Sequence, residues 1–143
     1  MPGIDVCLRE VMSLPGSRGA ALVDWSCGLA LGSVGDAPGG TPETAAAETA
    51  DLARLSMEYG TFQSAPETDG PDRTDGPDRT DGPGCRAVED LIVTTRTAYH
   101  VLRFIETAFD SSVLLYVWLD RDTGNLAATR LRLRDVAERL VLE

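Results

Sequence analysis

Near the middle of this 143-residue chain a hexapeptide repeats. Thr68-Asp69-Gly70-Pro71-Asp72-Arg73 returns as Thr74-Asp75-Gly76-Pro77-Asp78-Arg79, and a third copy begins at Thr80-Asp81-Gly82-Pro83. From Ala65 to Gly84 no side chain could fill a core, so the segment cannot offset the entropy of ordering it. Two and a fraction copies without apolar positions cannot stack into a solenoid either. Any core must therefore come from the flanking pieces, 1–64 and 85–143, folded together as one domain around a disordered insert at 65–84. The roughly 120 residues outside the insert suffice for a core that buries about 65% of the unfolded surface. Deleting residues 69–81 is expected to leave the melting temperature nearly unchanged.

The net charge is −10, and its distribution follows the same division. Residues 1–65 carry 8 acids and 3 arginines, residues 66–84 carry 6 and 2, and residues 85–143 carry 9 and 8. Such a balance argues against nucleic acid as a partner, which requires a basic face to displace counterions. It equally disfavours an anionic membrane surface. All 13 basic residues are arginine. Without a lysine, a P-loop and a pyridoxal Schiff base are both excluded. Cys7, Cys27 and Cys85 form no CxxC pair, and with the single His100 they make neither a zinc set nor a disulfide framework. No secretory signal or membrane span is visible, so a reduced, cytoplasmic setting is expected.

Hydrophobic periodicity places the elements. Ile4, Cys7, Leu8, Val11 and Met12 form one apolar stripe of a helix over 4–14, ended by Pro15-Gly16. Residues 19–24 and 28–32 read as a hairpin, with Asp24-Trp25-Ser26-Cys27-Gly28 as its turn and Ser33–Pro42 as loop. A helix over 43–59 carries Ala46, Ala50, Ala53 and Met57 on one face, a small-residue stripe that lets another backbone come close. Three strands follow, over 88–95, 99–104 and 113–119. The last helix runs over 125–142 with Leu126, Leu133, Ala137, Leu140 and Val141 inward and Arg132, Arg134 and Glu138 outward. The order αββαβββα predicts an α+β fold: a central antiparallel five-stranded sheet with helices on both faces.

Four stretches resemble the Roadblock/LC7 family, particularly bacterial members that include the MglB-like partners of Ras-like GTPases. They are Pro15-Gly16-Ser17-Arg18-Gly19-Ala20-Ala21-Leu22-Val23-Asp24, the return at Gly28-Leu29-Ala30, Glu89-Asp90-Leu91-Ile92-Val93-Thr94-Thr95, and Leu115-Tyr116-Val117-Trp118-Leu119-Asp120-Arg121 leading into Asn125-Leu126-Ala127-Ala128-Thr129-Arg130. The resemblance implies a homodimer in which a middle strand of each sheet pairs antiparallel with its mate and the second helices meet on one face. It makes Ala46, Ala50, Ala53, Met57, Leu91 and Val93 the dimer interface. The charged edge Glu48, Asp51, Arg54 and Glu58 would then contact a small GTPase with a basic surface. It implies neither a catalytic site nor a cofactor, and a role as regulator or scaffold. The insert departs from the family's usual compact connection between the second helix and third strand.

The remaining candidates read as structural. His100 alternates onto the face of Leu102 and Phe104, which suits a core or edge histidine better than a base paired with a cysteine nucleophile. Cys7 belongs to the buried stripe, and Cys27 at a turn lacks the basic flank of a reactive thiolate. Gly32–Gly40 lacks the spacing of a phosphate loop, and Asp36 would repel an anion. Arg130 is expected to lay its stem on the apolar side of the last helix and send its head to a carboxylate or carbonyl. Two other readings of the sequence stand beside the regulator: a small-molecule-sensing or enzymatic α+β domain, and a structural dimerisation module of a bacterial assembly.

Overall fold

The computed structural model describes residues 3–63, 88–105 and 112–141. The repeat insert at 65–84 and Cys85 lie outside the described residues. In chain order the elements are α1 (Ile4–Met12), β1 (Ser17–Asp24), β2 (Leu29–Gly35), α2 (Pro42–Glu58), a single 3-10 turn (Gly60–Phe62), β3 (Asp90–Thr94), β4 (Ala98–Ile105), β5 (Val113–Asp120) and α3 (Leu126–Val141). The expected αββαβββα order is observed.

The five strands form one antiparallel sheet in the order β2-β1-β5-β4-β3. The apolar run of β5 therefore occupies the centre, where both faces are covered. This is why its pattern is continuous rather than alternating. β3 lies mid-chain but at the sheet's edge, bonded among the described residues only to β4. Leu91 and Val93 therefore sit on a rim strand, whereas a strand inside a sheet has both hydrogen-bonding sides occupied.

Alternation along the strands divides the core in two. On one face Ala20, Leu22, Val101, Ile105, Val113, Leu115 and Val117 meet Cys7, Leu8 and Val11 of α1 and Leu133, Val136 and Ala137 of α3. On the other, Ala21, Val23, Leu102, Phe104, Leu114 and Tyr116 meet Ala46, Ala50 and Ala53 of α2. Helix starts follow local chemistry. The Thr41 hydroxyl accepts from the Thr44 amide (3.3 Å) ahead of Pro42, and the Asn125 Oδ1 accepts from the Ala128 amide (3.0 Å). After α1 the chain turns at Gly16, whose φ of 82° puts it in the left-handed region. A Cβ there would stand 2.5 Å from the Gly124 Cα, so this crossing takes glycine on both counts.

The strand that was expected to end at Gly32 continues to Gly35. Its glycines and Ser33 look like loop in isolation, but β1 pairs with them through Gly19↔Gly35, and Val34 joins the α1 side of the core. In α3, Val136 and Thr129 are buried along with the expected Leu133 and Ala137, whereas the Val141 side chain lies outside the described positions.

Candidate functional site

The α2 helix has a buried apolar face and an outer face that mixes leucines with carboxylates. Its inner stripe, Ala46, Ala50 and Ala53, is at most 1% exposed and lies against the chain's own sheet, with Met57 half-buried beside it. This corrects the expectation that the alanines meet a second copy. Short side chains allow a close backbone approach, and here that approach is made by α2 to β1 and β2 of the same subunit. A helix turned this way presents its other side outward. Leu52 (39% exposed) and Leu55 (44%) lie there at i and i+3, with Tyr59 (54%) exposed just past the helix end.

Among the described residues α2 lies over β1 and β2, and the same face of the sheet is less covered at His100 of β4 and Val93 of β3. The result is an open groove of about 270 Å3. Its walls come from Thr44, Glu48, Thr49 and Leu52 of α2, and Leu102, Tyr116, His100 and Val93 line it from the sheet. Val93 is exposed at the free edge, while Leu91 is partly buried against the α2-side core. The outer face of α2, the groove and the β3 edge are contiguous.

His100 sits in this groove. Its Nδ1 and the Tyr116 hydroxyl are linked by a 2.6 Å hydrogen bond. The ring stacks 6.0 Å from Tyr116 and 6.4 Å from Trp118, nearly parallel to both. Arg18 lies over the Trp118 ring at 4.0 Å, a cation–π contact that continues the row across β1, β5 and β4. Burial lowers the His100 pKa and pushes the Tyr116 phenol far above its usual value. The histidine thus lines the groove on the same face as Leu102, where strand alternation places it. Cys7 belongs to the core on the opposite face of the sheet, and Cys27 sits on the exposed β1–β2 turn, beyond the end of β1 that pairs with Val113 rather than with Trp118. The structure does not bring either thiol to His100.

The four charged residues expected to contact a partner do not make one patch. Glu48 lines the groove. Asp51 and Glu58 are exposed on the flank of α2, and Arg54 pairs with Asp51 and donates to the Trp25 carbonyl (3.0 Å). Arg54 is therefore engaged within the subunit. Arg130 behaves as its sequence context suggested: its guanidinium straddles the Asp90 carboxylate, with Nε–Oδ2 at 3.0 Å and Nη2–Oδ1 at 3.4 Å. This bidentate pair ties the edge strand β3 to α3. Among the described residues no cluster of three metal-binding side chains occurs, and no helix is long and apolar enough to cross a membrane.

Sequence reasoning missed Leu52, Leu55 and Tyr59. Leu52 and Leu55 follow a helical spacing opposite the alanines, a pattern that the smaller residues of the other stripe overshadow in the sequence.

The backbone arrangement is shared with solved structures. Myxococcus xanthus MglB superposes with a TM-score of 0.70 at 16% identity, covering 96% of this chain and 84% of that one. A Roadblock/LC7 domain from Streptomyces avermitilis gives 0.66 at 17% identity, covering 96% and 93%. MglC from Myxococcus xanthus gives 0.55 at 17%, covering 96% of each. No protein-family model and no curated protein matches the sequence. The chain has the Roadblock/LC7 fold.

Proposed function

We propose that the chain works as a homodimer without catalytic activity, a regulator or scaffold of a Ras-like small GTPase. The observation that supports self-association is the half-covered region formed by Leu52, Leu55, the groove and the β3 edge, which no strand of the described residues caps. A second copy placed across a two-fold axis would pair β3 with β3 and bury the outer leucines of both α2 helices, removing an open edge and an apolar patch together. In this dimer Leu91 and Val93 remain interface residues. Ala46, Ala50 and Ala53 instead support the interface from beneath. Asp51 and Glu58 flank it, and their acidity suits a basic partner surface.

The GTPase assignment rests on likeness of fold to MglB and MglC, an argument by analogy. It is tested by titrating the chain with the host's Ras-like GTPases, each loaded with GDP or with a non-hydrolysable GTP analogue. Binding that prefers one nucleotide state and is lost in the Asp51→Lys/Glu58→Lys variant supports the assignment. Absence of binding to any of them in either state overturns it and leaves the structural dimerisation module. The groove itself favours one other reading, a small-molecule site, since its volume and mixed lining of His100, Tyr116, Leu102 and Val93 suit a modest ligand. A chain that stays monomeric while binding a metabolite there would select it.

A further inference from the structure

His100 is the only histidine of the chain, and it lies where the proposed partner copy would close the groove. We infer that self-association is governed by the protonation of His100: the neutral imidazole lets a second copy seal the groove, and the imidazolium keeps it open. This inference rests on the dimer reading above.

The argument is geometric. The imidazole has one nitrogen committed to the Tyr116 hydroxyl at 2.6 Å and its ring held between Tyr116 and Trp118. A proton added to the ring creates a cation that needs water or a counter-charge. In the single chain, water supplies it through the open side of the groove. When Leu52, Leu55 and Val93 of two copies close over that side, the water is displaced and a charge is left among apolar groups.

The charged and titratable groups around the ring do not replace the lost water. From β5 the ring meets Tyr116, whose hydroxyl holds its proton. From β3 it meets Val93, its partner in register. The guanidinium of Arg18, on β1, lies over the neighbouring Trp118 and adds positive charge to the row. Among the described residues only Glu48 of α2 brings a carboxylate to the lining, and it is solvent-exposed, where its attraction is screened. Burial already holds the His100 pKa below its ordinary value in the single chain. Closing the groove deepens the effect, so association expels protons and weakens as they are added.

The test is the dimer dissociation constant measured by sedimentation at pH 7.5, 6.5 and 5.5, with far-UV circular dichroism confirming that the chain stays folded. Dissociation that strengthens on the order of tenfold between pH 7.5 and 5.5 is expected for two histidines per dimer. His100→Gln, which is neutral throughout, should dimerise equally at each pH. Proton NMR gives an independent reading without a variant. The single imidazole resonance should titrate at lower pH in concentrated, dimeric protein than in dilute, monomeric protein. A wild-type dimer of constant affinity, a pH dependence kept by His100→Gln, or a concentration-independent titration overturns this inference alone. A chain monomeric at every pH overturns it together with the dimer reading.

Discussion

The two faces of the sheet are closed in different ways. On one, α1 and α3 bring Leu8, Val11, Leu133 and Val136, all at most 1% exposed, each contributing about 1.5–3 kcal/mol of burial. On the other, α2 brings Ala46, Ala50 and Ala53, whose methyls contribute roughly 0.8 kcal/mol apiece. The first face is complete within one subunit. The second is closely fitted where α2 touches β1 and β2 and, among the described residues, less covered at His100 and Val93, while Leu52 and Leu55 of α2 are exposed. Large side chains on the outside of a helix whose inside is alanine are the surface that the proposed association would cover.

Breaking each face should give distinct outcomes. The largest effect is expected from Ala50→Glu, which forces a carboxylate into a fully buried contact between α2 and the sheet. It should cost about 5 kcal/mol or more and unfold the chain, visible as loss of the cooperative thermal transition by circular dichroism. A folded but monomeric variant would instead mean that the alanines do face a second copy. Next is Leu133→Ala on the complete face, expected to lower unfolding free energy by about 2–5 kcal/mol in urea titrations while leaving the affinity between copies unchanged. Leu55→Glu should do the reverse. The monomer keeps its stability to within about 0.5 kcal/mol, because the residue is 44% exposed, and association weakens by about 2 kcal/mol or more.

Smaller effects sharpen the picture at the sheet's rim. Arg130→Ala removes a pair that is half-exposed on the arginine side, so about 0.5–1 kcal/mol is expected. A double-mutant cycle with Asp90→Asn measures the coupling. The last is a pH effect at the β1–β2 turn. The Ser26 hydroxyl (2.6 Å), the Ser26 amide (3.0 Å) and Ser112 donate to the Asp24 carboxylate and hold its pKa below the usual range. A carboxylate depressed on folding stabilises above its unfolded value of about 3.9, and that contribution is lost as pH falls through the folded value. Asp24→Asn should therefore flatten the decline in urea midpoint between pH 5 and 3.

The element order was legible because periodicity survives in single elements: α1, β5 and α3 were placed within one or two residues. What periodicity marks is a face, not what lies against it. The stripe Ala46, Ala50, Ala53 was visible, but whether its neighbour is the same chain or another depends on where α2 lands, which no local pattern encodes. The reach of Arg130 toward a carboxylate was readable from its position among leucines. That the carboxylate is Asp90, 40 residues away on β3, needed the sheet order. The end of β2 was hidden for a related reason. Gly35 looks like loop, yet it pairs with Gly19, where a Cβ would fall 1.7 Å from the Asp36 carbonyl oxygen.

Whether one surface of this polypeptide is completed by its own twin is decided most directly by sedimentation equilibrium of the full chain at neutral pH, beside Leu55→Glu. The account predicts a species of twice the 15.3 kDa chain mass for the wild type and a folded single-chain species for the variant. A wild type that remains at 15.3 kDa up to the highest concentrations reached would contradict it.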